Sequence, residues 1–459
     1  MVVKQPMENI FNIQLEEKLQ FNKLYKKEAL YKSALALYTK AIFYRNKAKT
    51  TSLDGKTLYD FAGNTPKEML NLHKSLANKN FSFSPAKVAK ITSGNKERTV
   101  YIWPWNERVV DLMLYQLLNQ KLDKLFTPSV FAFRNHGFGV DQCQNKATRY
   151  IKANKSKDIY VVKRDVKNCF PSLPHDVLRK VISLIVEKDD YLEKLLLEKV
   201  SFSFQDNLGE TFTANIGVPF GAPTACILAN LILTPFDDIA KKYSNCCYTR
   251  YADDMLFLTT NKLDALKLAK EFDETFTKLK LESKSSAEIT GMLPQNANEE
   301  ILDEHFIILP GFKHLGVYFK PNGNTALALD KQRKICKLFK ASFTKCKKRL
   351  AKVAKLETKA KILCKAAIRV LDNNSSIGII DYYLKHTNDI KQLQLLDRWL
   401  AEEVLAIAIG NGHKKGNFAK LSFQELRNLG LPSLQHRRQL LLHHHIDGSF
   451  LRWKKAQQG

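Results

Sequence analysis

Two adjacent aspartates, Asp253 and Asp254, stand between two apolar strand halves, Cys247-Tyr248 before them and Met255–Leu258 after. Successive strand residues point to opposite faces, so an acidic pair inside one continuous strand would force a carboxylate into an apolar layer. A chain reversal at the pair removes that conflict. The stretch Cys246 to Thr259 is therefore expected to be strand–turn–strand, with both acids at its tip. A second acidic strand end lies upstream, where Asp158–Asp165 runs into the turn-like Asn168-Cys169-Phe170-Pro171. Carboxylates at the ends of adjacent strands are hard oxygen ligands that suit Mg²⁺, together with water and substrate phosphate. Two such ions about 3.5–4 Å apart would activate a 3′-hydroxyl and stabilise a leaving pyrophosphate.

Around these strands the pattern alternates between the two periods. Residues 1–50 read as helix with a basic end at Lys40–Lys49, and Asp54-Gly55 is a turn signal. Residues 85–102 look like a hairpin about Ser93-Gly94-Asn95, and Asn106 to Leu125 like a helix. Pro174 to Leu197, Pro223 to Leu233 and Leu263 to Leu281 read as helices, and 199–216 as a second hairpin. Strands interleaved with helices give an α+β mixed sheet covered by helices. After Asn322-Gly323 the chain turns basic and almost wholly helical, which puts a boundary near 325. The expected regions are 1–84, helical; 85–325, the mixed sheet; 326–400, a basic helical region; and 401–459, a helical extension.

The charge narrows the partners. Lys and Arg number 73 against 46 Asp and Glu, a formal net charge of +27, which points to a polyanion: nucleic acid or an anionic membrane. The membrane is disfavoured, because the start lacks a signal-peptide core and the most apolar stretch, Gly221 to Phe236, carries two prolines. None of the eight cysteines forms a C-x-x-C pair, which fits reduced thiols in a cytoplasmic protein. From Lys331 to Arg369 an apolar helical stripe (Ile335, Phe339, Phe343, Cys346, Leu350, Val353) alternates with Lys334, Lys337, Lys345, Lys348, Arg349 and Lys352. One face buries while the others present cations, as expected of a helix on a duplex backbone. Three consecutive histidines, His443–His445, cannot share one helix face and so make a poor metal site.

The ordered motifs between Arg98 and Phe319 resemble those of bacterial reverse transcriptases. Arg98–Pro104 with Glu107–Val110, and Phe131–Arg134 with Gly137-Phe138, resemble the two fingers motifs. Asp165–Phe170 with Pro171-Ser172-Leu173 is similar to palm motif A, and Gly217–Thr224 to motif B. Tyr251-Ala252-Asp253-Asp254 matches motif C, Leu279–Lys284 resembles motif D, and His314–Phe319 the primer grip. The resemblance implies a right-hand polymerase fold of fingers and palm, followed by an all-helical thumb and C-terminal extension. It implies an RNA-directed DNA polymerase that uses dNTPs, an RNA template and two Mg²⁺ ions, and releases a DNA product. Asp165, Asp253, Asp254 and the backbone carbonyl of Val166 would hold the metals. Phe170, five residues after Asp165, would be the steric gate against a 2′-hydroxyl. Arg98, Arg134, Phe220 and Lys284 would meet the nucleotide, Lys284 as proton donor to pyrophosphate. The six basic residues of the stripe would bind nucleic acid.

The sequence departs from the family where Phe220 replaces the usual Gln beneath the incoming nucleotide, and where Thr224-Ala225 and Cys226 replace Ser-rich versions. Phe220 can pack but cannot hydrogen-bond, which puts nucleotide selectivity, fidelity or template use in question. The Phe170–Leu173 ending resembles retron, diversity-generating and defence-associated enzymes, and the long helical extension best resembles the antiphage group. No His-Asn-His or Cys-pair zinc module follows the thumb, which disfavours a mobile-intron protein. The alternatives are a template-independent or protein-primed DNA polymerase, a retron enzyme, an RNA-directed RNA polymerase disfavoured by Phe170, and a non-catalytic RNA-binding scaffold. A non-coding RNA, a partner protein and a homo-oligomer are all compatible with this reading.

Overall fold

The computed structural model describes residues 10–42, 51–93, 96–134, 137–294, 304–372 and 374–443. It divides into two compact units, Met1–Cys143 with Tyr160–Gly291, and Gln144–Ile159 with Met292–Gly459. The division falls near Gly291 rather than at the composition change near 325, and residues 144–159 go with the second unit.

In the first unit, α1 (Phe21–Leu24), α2 (Lys27–Ala41) and α3 (Leu58–Ala77) precede the sheets. The helix expected over 1–50 is shorter than the composition suggests. Residues 11–20 are not helical; Leu19 instead pairs with the chain at Val186, its N–H donating to the Ile185 carbonyl at 2.9 Å. Most of the basic end, 43–49, lies outside the described residues. A reciprocal Thr57–Asp60 capping box starts α3.

Strands β1 (Ala86–Ser93) and β2 (Lys96–Ile102) form the expected antiparallel hairpin, followed by α4 (Trp105–Leu122), which buries Val109, Met113, Leu114 and Leu118. Helix α5 (Val140–Ala153) crosses into the second unit. Strand β3 (Ile159–Asp165) leads into the short α6 (Cys169–Ser172). The single helix expected over 174–197 is two, α7 (His175–Ile185) and α8 (Tyr191–Val200). The break has a local cause: Asp189 takes a left-handed φ of 59°, and the Asp190 carboxylate accepts the Leu192 N–H at 2.8 Å, capping α8. Strands β4 (Ser203–Gln205) and β5 (Thr211–Thr213) pair as a hairpin, and β4 joins β1 in the order β2-β1-β4-β5.

Helices α9 (Pro223–Ile232) and α10 (Thr234–Ala240) precede the acidic hairpin, β6 (Cys246–Tyr251) and β7 (Asp254–Thr259), which is followed by α11 (Lys262–Lys278) and β8 (Ile289–Leu293). The central strands run β6-β7-β3-β8. β7 pairs antiparallel with β3 from Tyr160↔Thr259 to Asp165↔Asp254, and with β6 from Cys246↔Thr259 to Tyr251↔Asp254. Val161, Val162 and Met255–Leu258 are buried, because α11 packs on β7 and both faces are covered.

A buried cation anchors the hairpin. Arg250 has no solvent exposure, and its Nε and Nη2 reach the Asp237 carboxylate of α10 at 2.8 and 2.6 Å. Its Nη1 donates to Asn230 Oδ1 at 3.0 Å and to the Ala252 carbonyl at 3.2 Å, while Tyr248 adds a hydroxyl to Asp237 at 2.9 Å.

The second unit holds β9 (Ile307–Ile308), the antiparallel meander β10 (Phe312–His314), β11 (Val317–Phe319) and β12 (Thr325–Leu327), and helices throughout the rest of its described length. The basic stripe is broken into α12 (Leu329–Thr344), α13 (Lys347–Leu350) and α14 (Leu356–Asp372). Ile335, Phe339, Phe343 and Leu350 are buried in the helical core, whereas Cys346 and Val353 are only partly covered. After α15 (Asn374–Lys385), α16 (Ile390–Ile409) and α17 (Phe423–Asn428), helix α18 (Leu434–Leu442) is the last among the described residues. α18 is tied down by Asp397, which accepts the Leu434 N–H at 2.7 Å, and by Arg437 on Asp381 at 2.6 Å. His443 follows α18; His444 and His445 lie outside the described residues.

Removing the Arg250 guanidinium leaves Asp237 charged, buried and unpaired. Arg250→Met is therefore expected to lower unfolding free energy by about 3–5 kcal/mol in urea titration. A loss below 1 kcal/mol would show that the ion pair does not anchor the hairpin.

Candidate active site

The β3–β7 register places Asp165 directly across from Asp254, and the β6–β7 turn holds Asp253 beside them. Paired residues on antiparallel strands share a face, with Cβ atoms about 4.5–5.5 Å apart. Ala252 adopts a left-handed φ of 55° in the turn, and the Arg250 hydrogen bond to its carbonyl holds that conformation. Sequence reasoning assigned no role to Arg250, Asp237 and Asn230. The available signal was a charge in mid-strand, which buries only with a partner.

Past Asp165 the chain bridges to Ser283: Lys167 N–H donates to the Glu282 carbonyl and Lys284 N–H to the Asp165 carbonyl, both at 2.8 Å. Those two bonds run through the neighbours and leave the Val166 carbonyl outside them. Lys284 is thus positioned by its backbone beside the acids.

The acids repel one another. Burial first, then Asp165 and Asp254, pushes the Asp253 carboxyl up to about 6, against a smaller opposing effect of Lys284. Asp254 leans to the Lys163 ammonium, 3.2 Å away and nearly buried. Among the described residues, no three carboxylates, thiols or imidazoles converge as placed to enclose an ion. The donor set nonetheless fits a hard divalent cation: it is all oxygen, crowded with negative charge, and already draws in a lysine. Cys169, with its thiol pushed well above the ordinary range by burial and next by Asp253, stays a neutral neighbour.

The segment after Asp165 is stitched to the loop before α9. Val218 N–H donates to the Phe170 carbonyl and Gly217 N–H to the Leu173 carbonyl, both at 2.8 Å. Gly217 sits at φ +80°, and a Cβ there would lie 2.6 Å from the Pro171 carbonyl oxygen, so only glycine permits this approach. The start of α9 is held by Asp111 of α4, which accepts the Thr224 N–H at 3.2 Å and its hydroxyl.

Four of the five predicted nucleotide contacts divide into two groups. Phe170 meets Phe220 edge-on at 5.5 Å and Phe133 at 6.3 Å, and the exposed Arg98 lays its guanidinium over Phe220 at 5.3 Å. Phe220 therefore packs between the Phe170 ring and a cation. Arg134 does not join them. Its guanidinium is nearly buried on Asp123 at 2.9 Å, on the carbonyls of Thr127 and Asp123, and against Phe138 at 3.7 Å. In this structure its donors hold the loop instead of facing the Phe170–Phe220 pair. In the second unit, Lys334, Lys337, Lys345, Lys348, Arg349 and Lys352 are all exposed.

Strand-end carboxylates, an aromatic pair and an exposed guanidinium are thus supplied by β3, β7, α6, β2 and the loop before α9. Residues 77–286 match the family profile described as reverse transcriptase (RNA-dependent DNA polymerase). The retron Ec73 reverse transcriptase of Escherichia coli is 26% identical over 168 residues, covering 35% of this chain and 49% of that protein. An uncharacterized 91 kDa protein in the cob intron of Schizosaccharomyces pombe is 26% identical over 168 residues, covering 36% and 20% respectively. The chain thus matches from a fifth to a half of the length of these relatives. A solved telomerase of Candida albicans with a fragment of telomeric RNA overlays at a TM-score of 0.44 and 9% identity, over 81% of this chain and 66% of that one. No described helix is long and apolar enough to cross a membrane.

The raised Asp253 carboxyl carries a stability consequence with a definite sign. The folded chain holds this proton more tightly than the unfolded chain, so the associated stability is present below pH ~4 and lost as pH rises through ~6. Asp253→Asn, a permanently neutral isostere, is expected to be more stable than the parent by about 2 kcal/mol at pH 7 without divalent cations. That gain should vanish in denaturant titrations at pH 4. A variant no more stable at pH 7 would show that Asp253 is not under this repulsion.

Proposed function

We propose that the chain is an RNA-directed DNA polymerase that extends a primer, or a protein hydroxyl, from dNTPs on an RNA template. The observation that carries this reading is the pairing of Asp165 with Asp254, with Asp253 in the adjoining turn, inside the stretch that matches the reverse transcriptase profile. Bound at these three carboxylates and the Val166 carbonyl, two Mg²⁺ ions would supply activation of the attacking hydroxyl and charge neutralisation of the leaving pyrophosphate. The chain's own residues orient the substrate. Phe170, fixed between Phe133 and Phe220, blocks a 2′-hydroxyl, and Arg98 offers its guanidinium to the triphosphate. Lys284 donates a proton to pyrophosphate, and the exposed cations of α12 and α13, with Lys352, bind the duplex backbone.

For biological role we favour bacterial antiviral defence, supported by the Phe170–Leu173 ending and by the helical core that continues through α18. A retron role is the second reading, favoured by the match to the Escherichia coli retron enzyme. An untemplated polymerase is the reading that the aromatic Phe220 would favour if the product matched no RNA.

Labelled dNTP and NTP incorporation, with copurified nucleic acid retained and the product sequenced, tests the reading. DNA complementary to a bound RNA is expected, absent in Asp253→Ala/Asp254→Ala. Phe170→Ala should relax dNTP-over-NTP selectivity by about tenfold or more while still making DNA. Unchanged selectivity would remove Phe170 from the gate, and product from the double variant would contradict the active site.

A further inference from the structure

The second unit contains a cavity of about 160 Å³ that the polymerase site does not use. It is lined by Gln144, Thr148 and Lys152 of α5, by Lys385 at the end of α15, by Asn388, and by Arg438 of α18. By the same measure one water needs only ~10–15 Å³, so the cavity admits a ligand much larger than a solvent molecule.

Its electrostatics are one-sided. No aspartate or glutamate lines it. Among the described residues, Lys152, Lys385 and Arg438 take part in no ion pair, although most acids of this unit are engaged with other cations. Arg438 spends one donor on the Thr387 carbonyl, and burial alone pulls its guanidinium below the ordinary value, with no carboxylate to offset it. Three cations around a concave polar wall want an anion with several acceptor oxygens.

Gln144 adds a different requirement. It is 2% exposed, and its Nε2 donates to the Leu315 carbonyl at 2.9 Å, which fixes the amide orientation. Its Oε1 is buried and has no hydrogen-bond partner. A buried carbonyl oxygen left unpaired costs free energy, and a phosphate oxygen cannot relieve it, because both are acceptors. An anionic ligand that relieves it must therefore carry a donor close to its anionic group. A ribose 2′-hydroxyl beside a phosphodiester meets both demands, and a deoxyribose does not.

We propose that this cavity binds the ribose-phosphate backbone of an RNA chain, with Lys152, Lys385 and Arg438 on phosphate and Gln144 Oε1 accepting from a 2′-hydroxyl. The site lies among residues 144–438 of the second unit, outside the carboxylate cluster. It depends on the polymerase reading only for the source of the RNA.

The test uses single-stranded RNA and DNA of one sequence, each carrying photoreactive 4-thiopyrimidines, cross-linked to the full chain and mapped by mass spectrometry. RNA is expected to label peptides of α5, of residues 385–388 and of α18, with at least about tenfold higher yield than DNA, the ratio that one well-placed hydrogen bond can supply. Lys152→Ala/Lys385→Ala, which removes two of the cations that line the cavity, should cut that labelling by about tenfold through lost phosphate contacts. It should leave dNTP incorporation on a short preformed primer–template unchanged. Gln144→Leu should lower RNA labelling to the DNA level. The Asp253→Ala/Asp254→Ala chain should label like the parent, so a failure of polymerisation and a failure of this site are read separately. Equal RNA and DNA labelling, labelling confined to other peptides, or yields unchanged in both cavity variants would overturn the proposal. Displacement of the RNA by millimolar adenosine 5′-monophosphate would also overturn it, by assigning the cavity to a free ribonucleotide.

Discussion

The contact between Arg250 and Asp237 fixes where the acidic turn can sit. A guanidinium without solvent must have its charge and its donors matched, and here α10 supplies the carboxylate while α9 supplies Asn230. The same guanidinium reaches the carbonyl of Ala252, the left-handed residue immediately before Asp253. Two helices, the hairpin and the acidic turn therefore share one buried cation. Register does the remainder, because a slip of one residue in β7 against β3 would turn Asp254 away from the face of Asp165.

Holding acids together in this way is costly to the fold and useful to the chemistry. Asp253 is pushed up to about 6 by burial and by its neighbours, and Asp254 is drawn to Lys163. Carboxylates that repel one another, yet offer several fixed oxygens, are relieved best by a compact divalent cation. Gly217 against Pro171, and the Phe170–Phe220 contact, then fix the distance between this charge and the ring that would screen the incoming sugar. Stability is given up where the reacting phosphates would sit, and is regained in the apolar layers around β3 and β7.

Much of this was legible in the residues. The Asp-Asp pair between apolar halves forced a reversal, and the hairpin β6–β7 is that reversal. The motif order placed Asp165 beside it, and the basic helices of the second unit followed from the period of Ile335, Phe339 and Phe343. Other features depended on contacts between residues far apart in the chain. Spacing alone does not show that Asp123 holds Arg134 or that Asp254 pairs with Lys163. Helix breaks were missed for a local reason: Asp190 caps a second helix inside a run whose apolar spacing continues across it. The cavity was invisible for the opposite reason, since its lining residues come from positions 144 to 438 and share no motif.

The central proposal is that the β3–β7 register and the Arg250-braced turn make an oxygen site for a divalent cation. Thermal unfolding of the full chain across a Mg²⁺ or Mn²⁺ titration tests it most directly, comparing the parent with Asp165→Asn and Asp253→Asn. The parent's midpoint should rise with cation concentration as expected for a ligand bound only by the folded state, and either variant should lose most of that rise. A parent that gains nothing from the cation, or variants that gain as much as the parent, would contradict the account.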